Sequence, residues 1–119
     1  MDKVFIEALQ LETLIGVYDW EREAPQLISV DLELETDLRA AAAANHVEAT
    51  VDYDVVTARV VALTRAARFE LIESLAEAIA TRLLEEFPIQ AVKVRLCKPG
   101  AVRGARNVGV EIVRRQVQG

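Results

Sequence analysis

The segment LIESLAEAIATRLLEEFPIQAVKVRLCKPG, residues 71–100, contains the two periodicities that decide the fold. Apolar residues recur at helical spacing through its first half; they are Leu71, Ile72, Leu75, Ala76, Ile79, Ala80, Leu83 and Leu84. This spacing predicts a helix over 70–86, which Pro88 ends because proline cannot continue a helix. In the second half, apolar residues at 92, 94 and 96 alternate with charged ones, which predicts a strand over 91–98 with one buried face.

Lys98 continues the alternation of that strand and would therefore lie on its buried face. A lysine at a strand end can extend its ammonium group into water from either face, and from periodicity alone this is the better supported interpretation. The alternative is a lysine at the mouth of a pocket. Desolvation there would lower its pKa and make it a useful proton donor and acceptor.

Three more strands are predicted outside this segment. Strict alternation in LISVDLELET predicts a half-buried strand over 27–36. The segment KVFIEALQLETL predicts a strand over 3–14, and a last strand is predicted over 107–115. In the strand nearest the start, we expect one face to carry Val4, Ile6 and Ala8.

A second helix is predicted over 53–67, with Asp52 as its N-cap. Its apolar stripe consists of Val56, Val60, Leu63 and Ala67. The alanine-rich segment 37–47 is predicted as a short helix or a loop. Residues 16–26, which Gly16 and Pro25 bracket, are predicted as a polar loop.

The element order β-β-α-α-β-β predicts an α+β fold, in which two helices cover one face of an antiparallel sheet. The opposite face is predicted to be polar; it would carry Asp31, Glu33 and Glu35 on one strand and Lys93 and Arg95 on another. With 119 residues, we expect residues 1–119 to form a single domain.

The composition excludes several classes of partner and cofactor. The net charge is −5 without a basic stripe, which argues against nucleic acid and anionic membranes as partners. No apolar run approaches the ~20 residues of a membrane span, and the start MDKVFIEAL does not resemble a signal peptide. Cys97 is the only cysteine, so we expect no intrachain disulfide and a reducing, cytoplasmic location. His46, expected in a surface loop, is the only histidine, so no metal site is predicted. A hard-cation site built from carboxylates stays open, although no EF-hand-like spacing exists.

Three further residues could contribute to a site, and each has a simpler explanation. Glu73 adjoins the apolar pair before it and could anchor a ligand, but it could also belong to a solvated helix face. Tyr53 begins the helix predicted over 53–67. Side chains at a helix start often face a site, but Tyr53 could simply pack in the core. Glu21 lies in the polar loop and could bind a ligand or only water.

Five motifs together resemble the bacterial dihydroneopterin aldolases, which belong to the tunnelling-fold family. In chain order they are MDKVFIEAL, IGVYDWERE, VDYDVV, ARFELIESLAEAIATRLL and KPGAVRGARNVGVEI. Each motif is modest alone, but their order and spacing are specific, and they cover residues 2 to about 115. The resemblance implies subunits whose sheets close into rings, four chains to a ring and two rings to an octamer. It implies an active site between neighbouring subunits, with Lys98, Glu73 and Glu21 from one chain and Tyr53 from the next. It also implies a pterin substrate and no metal or organic cofactor.

The resemblance also implies a role for each candidate residue. Lys98 corresponds to the catalytic lysine of the family, which acts through a bound water, and Tyr53 to a tyrosine that binds substrate and assists proton transfer. Glu73 corresponds to the carboxylate that accepts hydrogen bonds from the pterin, and Ile72 lies where the family offers backbone to the pterin. Glu21 corresponds to a carboxylate near the substrate side chain.

Two other functions are compatible with these residues. An epimerase of dihydroneopterin or its triphosphate would share the fold and the enolic intermediate, although the KPGAV segment favours the aldolase. Many aldolases of the family also epimerise their substrate as a side reaction. A non-catalytic pterin-binding ring is the alternative from a different class, and the presence of both Lys98 and Tyr53 argues against it.

Overall fold

The computed structural model describes residues 1–14 and 26–117. Its strands are β1 (Lys3–Thr13), β2 (Gln26–Glu35), β3 (Ala91–Cys97) and β4 (Gly109–Arg115). Its helices are α1 (Arg39–Ala44), α2 (Tyr53–Ala66) and α3 (Ile72–Glu86), and a short 3-10 turn spans Val47–Ala49. The predicted α+β class and element order are confirmed, and the alanine-rich segment forms the additional helix α1.

The four strands form one antiparallel sheet in the order β1-β2-β3-β4. Helix α3 packs against β3 and β4, and helix α2 packs against β1. The core fills the space between these helices and one face of the sheet. From α3 it takes Leu75, Ala76, Ile79, Ala80 and Leu83, all on the predicted stripe. Burying a leucine or isoleucine side chain stabilises the fold by about 1.5–3 kcal/mol.

Helix α2 begins where its capping residue predicts. The Asp52 carboxylate accepts a hydrogen bond from the Asp54 N–H at 2.9 Å. This bond satisfies one of the backbone donors that every helix start leaves without a partner inside the helix. Val56 and Val60 of the predicted stripe are fully buried. The cap and the stripe together fix both the start of α2 and the face that it turns to the sheet.

Strand β1 contains a bulge that the alternating pattern did not predict. The pairing with β2 shifts register between Ile6 and Leu9, and Ala8 adopts a φ of 53°. The Ala8 N–H donates to the Asp31 carboxylate at 2.6 Å. Since a bulge inserts one extra residue, it inverts the alternation beyond it. The prediction that Ala8 shares a face with Val4 and Ile6 was therefore wrong: Ala8 is exposed, and Leu9 packs against the core.

The sheet face away from the helices carries a ladder of ion pairs. Lys93 Nζ lies 3.1 Å from a Glu33 carboxylate oxygen and 3.7 Å from a Glu111 carboxylate oxygen. Arg95 lies 3.4 Å from Glu111, and Lys3 lies 3.4 Å from Glu33. The hydrogen bond that Lys93 donates to Glu33 lowers the pKa of Glu33 and raises the pKa of Lys93. The predicted polar face is confirmed, and its charges neutralise one another across strands.

The sheet has two edge strands, β1 and β4. In the described ranges 1–14 and 26–117, no strand pairs with the outer edge of either one. Open edges present unpaired backbone donors and acceptors, to which another chain can add a strand. Each edge of the sheet therefore offers a surface for strand pairing.

Candidate active site

Lys98 directly follows the last residue of β3 and is held through its backbone. Its N–H donates to the Val108 carbonyl at 2.7 Å, and its carbonyl accepts from the Ala101 N–H at 3.2 Å. The second bond closes a turn with Pro99 at its second position and Gly100, at a φ of 73°, at its third. This is the pattern of a type II turn, which requires a positive φ at that position. The turn redirects the chain at Lys98 and prevents it from continuing the strand.

The alternation that raises the question about Lys98 does end at this residue. Residues 92, 94 and 96 of β3 are buried almost completely, whereas Lys98 is only half-buried. The apolar face of β3 therefore ends at Leu96, two residues before the lysine. Both interpretations of Lys98, an ammonium group that extends to water and a lysine at a pocket mouth, place it at such a boundary.

The chain path brings the start of α3 to the same end of the sheet as Lys98. Only four residues connect the end of α3 at Glu86 to the start of β3 at Ala91. Because this connection is short, the helix and the strand run in opposite directions. At 1.5 Å per residue the helix is about 22 Å long, and at 3.3 Å per residue β3 is about 23 Å long. The first residues of the helix, Ile72 and Glu73, consequently lie near the end of the strand that leads to Lys98.

Ile72 and Glu73 occupy the first turn of α3. Ile72 is half-buried against the core, and Glu73 is exposed on the first turn. The carbonyl of Leu71 accepts from the N–H groups of Ser74 and Leu75. The N–H groups of Ile72 and Glu73 precede these and are the ones that a helix start makes available to a ligand.

Tyr53 lies at the opposite end of the sheet from Lys98. Helix α2 ends beside the end of β1, because the Thr13 hydroxyl donates to the Thr64 carbonyl at 2.9 Å. That end of β1 is also the end of the sheet at which Lys98 lies. From Thr64, α2 runs about 16 Å back along the sheet to Tyr53 at 1.5 Å per residue. Arg59 confirms this direction, since it pairs at 2.7 Å with Glu86 at the far end of α3.

A shallow cleft of about 480 Å³ surrounds Tyr53. Its walls come from α1, the 3-10 turn and the start of α2, and include Asn45, His46 and Thr50. Tyr53 is 61% exposed, so the interpretation of this residue as core packing is wrong. His46 is exposed in the connection between α1 and the 3-10 turn, as predicted.

The structure thus divides the predicted site residues between two corners of the molecule. We use the name lysine corner for Lys98, Ile72 and Glu73, and tyrosine corner for Tyr53 and the cleft around it. Large apolar side chains are exposed at both; they are Leu71, Val102 and Val108 on the segments of the lysine corner, and Val47 and Val55 at the tyrosine corner. Glu21 lies outside the described residues.

Sequence reasoning missed Gly109, the first residue of β4. A Cβ atom at this position would lie 2.1 Å from the Leu96 carbonyl oxygen, which is far inside any permitted contact. The available signal was a glycine inside a strand pattern, which often marks a close approach of two backbones.

The described parts of the chain show neither a metal-binding cluster nor a membrane-spanning helix. Residues 1–14 and 26–117 contain no cluster of three or more His, Cys, Asp or Glu side chains that could hold a metal ion. None of the helices in these ranges is long and apolar enough to cross a membrane.

Comparison with known proteins identifies the family to which this chain is similar. The family model for dihydroneopterin aldolase, FolB, matches residues 4–113. Dihydroneopterin aldolase from Escherichia coli K12 is 45% identical over 114 residues, which cover 96% of this chain and 93% of the relative. The enzyme from Haemophilus influenzae is 41% identical over 96% of this chain and 97% of its own.

Solved structures agree with the sequence comparisons. The crystal structure of E. coli dihydroneopterin aldolase in complex with neopterin superimposes with a TM-score of 0.93 at 45% identity, and the match covers 96% of this chain and 99% of that one. The fold is therefore the tunnelling fold of these enzymes. The chain belongs to the dihydroneopterin aldolase family, a family of lyases that act in folate biosynthesis.

Proposed function

We propose that this chain cleaves 7,8-dihydroneopterin into 6-hydroxymethyl-7,8-dihydropterin and glycolaldehyde by a retro-aldol reaction. The observation that carries this proposal is the lysine corner. A lysine fixed by two backbone hydrogen bonds lies at the same end of the sheet as a helix start with a carboxylate and two available N–H groups. In a chain of this family, that arrangement suits a flat heterocycle with several hydrogen-bond donors beside a proton-transfer group.

The chemistry requires proton transfers and an electron sink. Removal of the 2′-hydroxyl proton allows the C1′–C2′ bond to break, and glycolaldehyde leaves with C2′ and C3′. The bonding pair moves into the adjacent C6=N5 unit of the dihydropterin, and N5 takes up a proton. Protonation of C1′ and loss of the N5 proton then restore the C=N bond. Since the substrate contains its own sink, neither a lysine Schiff base nor a Lewis acid is needed.

We assign Lys98 to these proton transfers, which it carries through a bound water. The hydroxyl of Tyr53 binds the substrate and assists the transfer. Its phenol can both donate and accept a hydrogen bond, as this role requires. The positions of Lys98 and Tyr53 are critical for this role, because a proton must pass between atoms within hydrogen-bond distance.

We assign pterin binding to the start of α3. The Glu73 carboxylate would accept hydrogen bonds from the 2-amino group and the ring N–H of the pterin, and the backbone of Ile72 would contact the ring. Glu21 would contact the substrate side chain. Glu73 is exposed on the first turn of α3, where its carboxylate is accessible to a ligand.

A complete site requires a second copy of the chain. The family resemblance implies that one subunit supplies Lys98, Glu73 and Glu21 and that its neighbour supplies Tyr53. The positions of Lys98 and Tyr53 at opposite ends of the sheet support this division. The open edges of β1 and β4 support ring closure by strand pairing between copies. We propose an octamer of two tetrameric rings that functions in the cytoplasm.

An epimerase activity at C2′ would follow from the same intermediate. If glycolaldehyde re-adds through its other face before it leaves, the product is the 2′-epimer of the substrate. This side activity needs no further residue, because it reverses the cleavage step with the same proton-transfer groups.

Incubation of the purified protein with 7,8-dihydroneopterin tests the proposal. Glycolaldehyde should form in a one-to-one ratio with 6-hydroxymethyl-7,8-dihydropterin, and chromatography of the pterins should reveal any 2′-epimer. Formation of the epimer without glycolaldehyde would identify an epimerase instead. Binding of pterin without any turnover would identify a non-catalytic binding protein.

A further inference from the structure

We infer that Gly109 is a positioning residue for Lys98, because its missing side chain lets β4 approach β3 closely enough to hold the lysine. This inference rests on the proposed role of Lys98 in proton transfer. Gly109 pairs with Cys97, the residue directly before Lys98. The hydrogen bond from the Lys98 N–H to the Val108 carbonyl is formed one residue beyond this pair.

The steric evidence for a close approach comes from the backbone. A Cβ at Gly109 would lie 2.1 Å from the Leu96 carbonyl oxygen and 2.9 Å from the Cys97 Cα, both of them main-chain atoms. It would also lie 3.0 Å from the Cys97 sulfur. A flexible side chain could move away from such an atom, but a strand backbone inside a sheet cannot move alone. Any larger residue at 109 must therefore push β4 away from β3 at the end where Lys98 lies.

Gly100 restrains Lys98 from the other side. Its φ of 73° forms the third position of the turn whose first residue is Lys98, and a Cβ there would meet nothing within 4 Å. The requirement for glycine at 100 is therefore conformational, whereas the requirement at 109 is steric. We define the lysine clamp as the two backbone bonds of Lys98 together with Gly100 and Gly109, which permit them.

The clamp matters for rate more than for binding. A general acid–base group must stay within hydrogen-bond distance of its proton, and a shift of about 1 Å can cost about 100-fold in turnover. The pterin-binding positions Ile72 and Glu73 lie on α3, which does not contribute to the clamp. Loosening the clamp should therefore lower kcat and leave KM nearly unchanged.

Gly104 provides a matched control within the same connection. It has a φ of 90°, and a Cβ there also meets nothing within 4 Å. Gly104→Val and Gly100→Val thus introduce the same residue, with the same conformational strain and the same free space, but only the second lies in the turn of Lys98. Ile112→Ala controls for stability, because it removes an apolar contact further along β4.

The experiment measures kcat, KM and backbone hydrogen exchange for the full-length variants. We expect Gly109→Ala to lower kcat by about 10- to 100-fold with KM within about three-fold of wild type. We expect Gly100→Val to have the same effect to a smaller degree. In both variants, deuterium uptake over residues 94–103 should rise, since exchange reports the opening of the Lys98 amide bond.

Three results would overturn the inference. One is wild-type kcat and wild-type exchange in Gly109→Ala. Another is an equal loss of kcat in an Ile112→Ala variant of the same melting temperature, which would make the effect one of stability. If Gly109→Ala does not fold, the two valine variants decide. Equal deuterium uptake over residues 94–103 in Gly100→Val and Gly104→Val would contradict the clamp. The exchange measurement needs no turnover, so a wild-type protein that releases no glycolaldehyde would contradict the proposed function alone.

Discussion

The lysine corner and the tyrosine corner differ in how the chain holds its reactive group. Lys98 is half-buried and fixed by backbone bonds between a strand end and a type II turn. Tyr53 is the first residue of a helix, and its ring is 61% exposed in a single chain. In the proposed mechanism the first corner supplies the proton-transfer group, and the second supplies a hydroxyl that lies at the other end of the sheet. If both residues serve the proposed reaction, one chain carries two incomplete halves of the site.

The largest effect is expected at the lysine corner. Lys98→Ala should lower the rate of glycolaldehyde release by at least the ~100- to 10,000-fold that general acid–base groups contribute. Pterin affinity should stay within a few-fold of wild type, because the binding positions lie on α3. Steady-state kinetics and calorimetry with a pterin analogue measure the two quantities separately. Near-normal turnover would return Lys98 to the interpretation of a strand-end lysine that extends to water.

A smaller effect is expected when the same corner loses its carboxylate. Glu73→Ala should chiefly weaken binding, since hydrogen bonds to charged groups contribute about 1.5–3 kcal/mol each. One such bond corresponds to about a 10- to 150-fold rise in Kd. Glu70→Ala is the matched control, because Glu70 is a neighbouring exposed carboxylate that precedes the helix. Equal affinities of the two variants in titration calorimetry would show that Glu73 belongs to a solvated face.

The sequence predicted the lysine corner better than the tyrosine corner, for physical reasons. Side-chain periodicity reports burial, so it located α3 and β3. It also placed Lys98 on the buried face, because it cannot report the turn that ends this face. Periodicity does not report which ends of two elements meet, so the expectation that Tyr53 and Lys98 come from different subunits rested on the family resemblance alone. A bulge is also invisible to periodicity, and Ala8 was assigned to the wrong face for that reason.

The smallest effects are expected on the charged sheet face, whose residues belong to neither corner. The folded pKa of Glu33 is lowered, so its contribution to stability is complete above its ordinary value of 4.5 and is lost as the pH falls below it. The folded pKa of Lys93 is raised, so its contribution is lost only as the pH rises above its ordinary value of 10.5. Stability from this pair should be constant between these values.

Glu33→Gln tests that expectation. The melting temperature at pH 7 should fall by only a few degrees, because exposed ion pairs contribute little. The fall of melting temperature between pH 5 and pH 3.5 should be shallower than in wild type. Turnover should be unchanged, and a large loss of turnover would mean that this face takes part in the reaction.

Mixed oligomers of Lys98→Ala and Tyr53→Phe chains test the shared site most directly. Each variant alone should be nearly inactive as an aldolase. The two chains are co-expressed with different tags and purified through both, and each variant paired with itself is the control. With random mixing, about a quarter of the sites receive Lys98 from one chain and Tyr53 from the other, so activity should rise well above either parent and stay below wild type. Confirmed mixed oligomers without recovered activity would contradict the shared site, since a site built from one chain cannot be repaired by mixing.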